Sequence, residues 1–358
     1  METVNRDLTP SEAHADRLGA LDGMRAVSIL LVVLSHGWMD KWVPGGLGVT
    51  IFFFISGFII TRLMLQEYQQ TATVSIRAFY LRRFFRLMPA LAVFIPISLA
   101  FMQMNALPWR GREVAAVLFY LANYYDLFVG FLSSGQHHPL AITWSLAIEE
   151  HFYFLFPTLF ILLIANKRRF LHAMLCLLAM VLVWRLYLVN TYSLGGLIEY
   201  RIYKGTDTRI DSIVYGCVLS LVLTMFPQWQ AKLASRLFLW TGIAMLLLSL
   251  LLRSEIFRET WRYSLQGAGL FLITPSLLFA PGWMNTLLSS PPMRHLGRIS
   301  YSLYLYHWLV LVAVSLLMPT QPLFLRLAVF YGASWLLAEC SCRWVEQPGI
   351  RFGRKLAH

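Results

Sequence analysis

Charge is scarce in this sequence. Only 13% of its 358 residues are Asp, Glu, Lys or Arg, where a soluble domain carries about one quarter. That shortage excludes an ordinary soluble fold, because 58% of the residues are hydrophobic and long apolar stretches recur along the whole chain. Each stretch is near ~20 residues, enough to cross a ~30 Å hydrocarbon core as helix. Cysteine is scarce too. Cys176, Cys217, Cys340 and Cys342 all sit in apolar stretches and read as buried small hydrophobes. Cys340 and Cys342 are two positions apart and face different sides of a helix, a poor geometry for a bridge or a shared metal. No hydrophilic stretch is long enough for a second soluble domain. No clear internal repeat is visible, which weighs against a transporter built from inverted halves. The start lacks the pattern of a secretory signal, since Asp7, Glu12, Asp16 and Arg17 precede any apolar run.

What is present predicts an all-α, polytopic transmembrane helix bundle of about ten spans. Candidate spans are 19–38, 47–66, 88–105, 141–165, 170–190, 208–226, 237–252, 262–280, 299–318 and 323–343. Residues 1–17 are expected to be a polar tail, 18–348 the membrane domain and 349–358 a basic tail. The net charge of +12 falls mainly in short loops. It reads as the orientation signal of a membrane protein and speaks against nucleic-acid binding. Arg77, Arg82, Arg83 and Arg86, then Lys167–Arg169, Lys232 with Arg236, Arg294 with Arg298, and Arg351 with Arg354 and Lys355 all share one side if both termini are cytoplasmic. That holds only if the apolar segment 113–132 does not cross. Its Asn123, Tyr124, Tyr125 and Asp126 suit a re-entrant or interfacial position lined by water.

Ionisable groups inside spans are costly and are functional candidates. Eleven positions separate Arg25 from His36. At roughly 100° per residue both lie on one helix face, about 16 Å apart along the axis. Asp22 joins the same stripe, three residues before Arg25. Ser56-Gly57 in the second span is a small-residue notch for close helix packing or for a slim ligand, with packing favoured when the notch is read alone. The arginines around Arg83 and Arg86 fit either an orientation signal with anionic lipid or a pocket for a polyanionic phosphate ligand, which Arg binds bidentately. In the fourth span Ser145, Glu149 and Tyr153 form one helical stripe, while Glu150 points elsewhere. Glu149, Glu150 and His151 lack metal-ligand spacing on a single face, so no metal is expected. Thr206 to Asp211, with Arg209, reads as a helix cap with a local ion pair or as a substrate contact. Ser300, Tyr304 and His307 form a further stripe, for packing or function.

These segments, in this order, resemble the acyltransferase-3 family of integral membrane O-acyltransferases. The matching residues are Asp22-Gly23-Met24-Arg25 leading to His36, Phe53-Phe54-Ile55-Ser56-Gly57-Phe58, and Arg83-Phe84-Phe85-Arg86-Leu87-Met88-Pro89. They continue with Trp144-Ser145-Leu146 to Glu149, Thr208-Arg209-Ile210-Asp211, Ile299-Ser300-Tyr301-Ser302 through Tyr304 to His307, and Trp344-Val345-Glu346-Gln347-Pro348. The resemblance covers about 20–350. It implies a bacterial cytoplasmic-membrane enzyme with an acyl-CoA donor, usually acetyl-CoA, entering from the cytoplasm. It also implies an acceptor hydroxyl on a cell-envelope glycan or lipid-linked sugar. On that reading Arg83, Arg86, Ser56 and Gly57 hold the donor and His36 is the general base. Glu149 orients or charge-balances His36. Arg25 positions the donor or stabilises oxyanion charge. Asp22, Arg209, Asp211, Tyr304 and His307 bind substrate or support the site. A covalent acyl-His or acyl-Ser intermediate is an alternative route. The rival class is a proton-coupled transporter, which would also use His, Glu and Arg but needs no CoA pocket.

Overall fold

The computed structural model describes residues 10–132, 138–192 and 195–357, with the backbone alone for 10–18. Among these residues it is helical and carries no strand. Eight helices are long and apolar enough to cross a bilayer, and the chain is a multi-pass membrane protein. The three first long helices are α1 (Pro10–Leu34), α2 (Gly45–Thr71) and α3 (Ile76–Met104). The polar segment expected as a tail is therefore helical from residue 10 onward. Beyond α1 the chain widens into a π-helical turn, Ser35–Met39, and leaves helical geometry at Gly37 and at Trp38, whose φ is 61°. Positive φ is uncommon for a non-glycine residue. Here the Trp38 ring is held beneath the Arg326 guanidinium at 4.5 Å and against Phe330 at 5.8 Å. The turn follows the end of α1 and carries His36 as its second residue.

The segment 113–132 breaks into α4 (Gly111–Leu118) and α5 (Ala122–Phe128), of eight and seven residues. At 1.5 Å per residue each is only about 10–12 Å long, far short of a bilayer. Buried Glu113 fixes this segment by accepting from the Arg110 and Leu132 N–H groups at 2.9 and 2.8 Å. The chain continues through α6 (Trp144–Leu163), α7 (Lys167–Thr191), α8 (Gly196–Lys204) and α9 (Thr206–Met225). Two expected spans appear as α10 (Arg236–Leu251) and α11 (Trp261–Phe279), which pack on one another. They are not among the eight long apolar helices. Last come α12 (Pro291–Leu317), α13 (Leu323–Ser341) and α14 (Gln347–Ala357). The stretch expected as a basic tail is thus largely helix α14.

In lipid, helices gain little by hiding apolar surface, so close backbone approach and dispersion carry their association. The α2–α9 contact shows this directly. A Cβ on Gly57 would lie 1.9 Å from the Ile213 carbonyl oxygen, and one on Gly216 would lie 2.0 Å from the Phe54 carbonyl oxygen. The Ser56-Gly57 notch therefore divides its work. Gly57, expected to hold the donor, is used for helix packing, because its missing side chain is occupied by α9 backbone. Alpha1 meets α12 in the same manner, with Gly297 against the Asp22 carbonyl. That contact lays the Arg25-to-His36 face along the Ser300-to-His307 face.

Candidate active site

His36 and His307 meet where α1 ends. The His36 Nδ1 atom lies 3.0 Å from His307 Nε2, with the two rings 14° from parallel. His307 is completely buried, and its Nδ1 is 2.9 Å from the Leu303 carbonyl oxygen. A carbonyl can only accept, so His307 Nδ1 carries the proton. With both rings neutral, His307 Nε2 then accepts from His36 Nδ1–H, which leaves the basic lone pair of His36 on Nε2. The edge of Trp308 packs on His36 at 4.9 Å, and its Nε1–H donates to the His138 carbonyl at 3.0 Å. His138 in turn lies 3.4 Å from Glu113. Burial pushes His138 below the usual histidine range, and Glu113 opposes that shift.

A second cluster stands nearer the arginine-rich end. Ser56 and Tyr153 both donate to the Glu149 carboxylate, at 3.1 and 2.8 Å. The Ser145 and Tyr304 hydroxyls are 2.6 Å apart. The Arg83 guanidinium lies over the Tyr153 ring at 4.9 Å, and Arg25 pairs with Asp22 at 3.2 Å. Arg25, Arg83, Arg86, Ser56, Glu149 and Tyr304 all line one narrow cavity of about 70 Å³. The expected stripes of Ser145, Glu149 and Tyr153 and of Ser300 and Tyr304 therefore face each other across it. Glu149 differs from expectation, because the ring beside His36 Nδ1 is His307 and the Glu149 carboxylate is directed to Ser56 and Tyr153. The neighbouring His151 turns away to Thr206, at 2.8 Å from its Oγ1. Among the described residues no cluster of three His, Cys, Asp or Glu side chains is placed to hold a metal.

The cavities share walls in order. Arg25, Arg83 and Arg86 also line a chamber of about 190 Å³ at the arginine-rich end. Val49 and Tyr304 are common to the narrow cavity and to a pocket of about 210 Å³ that contains His36. Ser35, Gly45, Gly46 and Tyr203 join that pocket to a polar vestibule of about 640 Å³, whose wall includes Asp40, Lys41, Arg253 and Arg258. A chain of spaces thus leads from clustered arginines, past a neck at Ser56 and Glu149, to the two histidines and out to the vestibule.

Arg209 and Asp211 separate. Arg209 is fully buried, donates to Thr50 Oγ1 at 3.1 Å, and lies over the Tyr263 ring at 4.0 Å and the Tyr203 ring at 5.4 Å. Tyr203 and Tyr263 both line the vestibule, so Arg209 stands behind its aromatic wall. Asp211 binds Arg185 at 2.6 Å, and Arg185 also donates to Ser264 and to the Thr208 carbonyl. The expected local ion pair is made instead by Arg201 and Asp207. Arg185 was absent from the sequence-derived candidates, although a lone arginine in the apolar 170–190 run is the kind of residue that seeks an intramembrane partner. Trp308 and Glu113 were also absent, because their importance comes only from what surrounds them.

The model of the acyltransferase-3 family, described as an acyltransferase domain, matches residues 18–338. The peptidoglycan O-acetyltransferase OatA of Listeria monocytogenes is 29% identical over 349 residues, covering 92% of this chain and 55% of that protein. The O-acetyltransferase OatA of Staphylococcus aureus is 31% identical over 368 residues, covering 94% of this chain and 58% of that protein. The chain thus spans a little over half the length of these relatives. No solved structure matches. With the family match extending over nearly all the helices that build the arginine chamber, the neck and the histidine pair, this chain belongs to the acyltransferase-3 family.

Proposed function

We propose that this chain is an O-acyltransferase of the bacterial cytoplasmic membrane, with both termini cytoplasmic. It moves an acyl group, in the simplest case acetyl, from acyl-CoA to a hydroxyl of a cell-envelope glycan or lipid-linked sugar. The observation that carries the reading is the ordered series of cavities from the arginine chamber to the His36–His307 pair. The phosphates of acyl-CoA suit the arginines, and its slender pantetheine arm suits the neck at Ser56. The acetyl group is carried over from the names of both relatives, and the glycan acceptor from that of the Listeria monocytogenes protein alone.

In this mechanism His36 Nε2 takes the proton from the acceptor hydroxyl as its oxygen attacks the thioester carbonyl carbon. A C–O bond forms, the C–S bond breaks, and the departing CoA thiolate recovers the proton. His307 fixes the His36 tautomer and accepts the Nδ1–H bond that strengthens when His36 becomes charged. Arg25 lies nine residues, about 14 Å of helix, before the end of α1 and lines the arginine chamber, which suits it to the donor's phosphates rather than to the oxyanion. Glu149 holds Ser56 and Tyr153 in the neck and balances the charge of Arg83 and Arg86. Arg209 stiffens the aromatic wall on the acceptor side. The test is to compare envelope glycans by mass spectrometry from cells with and without the gene. Gain of one acetyl group on a single sugar supports the reading, and identical glycans contradict it. A proton-coupled transporter would release no free thiol from acetyl-CoA.

A further inference from the structure

Helix α14 ends the described chain against the first half of α3, at Phe85 and Pro89, close to the arginine chamber. A Cβ on Gly349 would lie 2.7 Å from Pro89 Cγ, and one on Gly353 would lie within contact of Phe85 Cβ at 2.4 Å. The Phe352 and Phe85 rings meet at 5.2 Å. Seated this closely, α14 places Arg354 in the wall of the chamber that also holds Arg25, Arg82, Arg83 and Arg86. Glu67 is the one carboxylate in the chamber wall, while Asp22 pairs with Arg25, and Glu149 and Glu346 act on Arg86 from outside that wall. Glu67 is committed to Arg82 at 3.4 Å and to the Ser75 N–H at 2.7 Å. Arg354 has no hydrogen-bond or ion-pair partner among the described residues, whereas Arg86 meets the fields of Glu346 and Glu149 without a direct contact. Like charges gathered around one space repel each other, and a polyanion in that space reverses the sign of the interaction.

We propose that Arg354 is a phosphate ligand of the donor site and holds the 3′-phosphate of acyl-CoA. This rests on the acyl-CoA reading above and extends it to a residue of the C-terminal helix. The order of the cavities makes the assignment. Arg25, Arg83 and Arg86 line both the chamber and the neck, so they meet the diphosphate, which adjoins the pantetheine arm. Arg354 lines only the outer chamber, where the ribose and its 3′-phosphate must lie once the arm has entered the neck. Arg82 lines that chamber too, but Glu67 already occupies it. Ile59, Leu63 and Ile350 give the same chamber an apolar side against which adenine can rest. Docking of α14 and capture of the donor are then linked, because the helix carries one of the anchoring charges.

A lipid headgroup phosphate has the same chemistry, and the experiment separates the two sources. The full chain is purified into nanodiscs of phosphatidylcholine. Affinities are measured for acetyl-CoA and for acetyl-3′-dephospho-CoA, with the unaltered chain, Arg354→Ala and Gly353→Leu. The expected result is that Arg354→Ala weakens acetyl-CoA about three- to tenfold, the range for a charge pair at a partly wet site, and leaves the dephospho analogue unchanged. Gly353→Leu, which pushes α14 off Phe85, gives the same selective loss. Equal loss for both ligands, or no loss for either, overturns the proposal while leaving the donor reading intact. A loss that depends on added phosphatidylglycerol also overturns it and makes Arg354 a lipid contact. If the unaltered chain binds neither thioester, the donor reading falls and this proposal with it.

Discussion

His36 Nδ1 lies 3.0 Å from His307 Nε2, although 271 positions separate the two residues in the chain. The Leu303 carbonyl fixes the His307 proton, and the contact therefore passes the tautomer on to His36. The pair should behave as a unit. His307→Ala should lower kcat, and its effect should vanish when His36 is already Gln, as expected for residues that act through one another. Turnover measured on the two single variants and the double variant checks this. Independent, multiplying losses would separate His307 from the chemistry.

Donor binding should fall when the arginines are removed. Arg83→Ala and Arg86→Ala each delete charged hydrogen bonds worth on the order of 1.5–3 kcal/mol. Acetyl-CoA affinity measured on purified protein should drop accordingly, with yield preserved. Unchanged affinity in the double variant would return both residues to an orientation signal.

The neck should be a size filter. Ser56 lines a space of only about 70 Å³ and hydrogen-bonds Glu149. Ser56→Leu should obstruct the pantetheine arm and weaken acetyl-CoA. It should leave adenosine 3′,5′-bisphosphate binding in the outer chamber unchanged. Competition binding with both ligands reads the difference. Equal weakening of the two would place the obstruction elsewhere.

The buried Arg185–Asp211 pair should matter for folding. Arg185→Leu leaves an uncompensated buried carboxylate, and breaking such a pair typically costs about 3–5 kcal/mol. Folded yield and melting temperature should fall sharply, and Arg185→Leu with Asp211→Leu should recover much of the loss. No recovery in the double variant would mean that Arg185 serves another partner.

Much of this arrangement was legible in the residue pattern. Arg25 and His36 share a helix face by spacing alone, and Ser300, Tyr304 and His307 form a second face. Segment 113–132 was excluded as a span by the basic loops, and its division into two short helices has a local cause in Glu113 and its backbone partners. What spacing cannot supply is which faces meet. Glu149 was assigned to His36 because both are polar groups within spans, whereas the α1–α12 contact at Gly297 brings His307 there instead. Gly57 was assigned to the donor, but the α9 backbone fills its place. The docked α14 was read as a tail because its charges dominate its few apolar anchors.

Topology has a direct check. If both termini are cytoplasmic, reporter fusions at Lys167 and after Ala357 should both report the cytoplasm. A periplasmic signal at Lys167 would require an additional crossing before α7, which α4 and α5 are too short to make singly.

Whether His36 Nε2 is the base of acyl transfer can be read from a single sample. His36→Gln protein is purified, and free CoA release from acetyl-CoA in the presence of an envelope-glycan extract is measured beside acetyl-CoA affinity. Turnover should fall by roughly 10²–10⁴, the usual cost of removing a general base, with donor affinity retained. Near-normal turnover in the same folded sample would contradict that role.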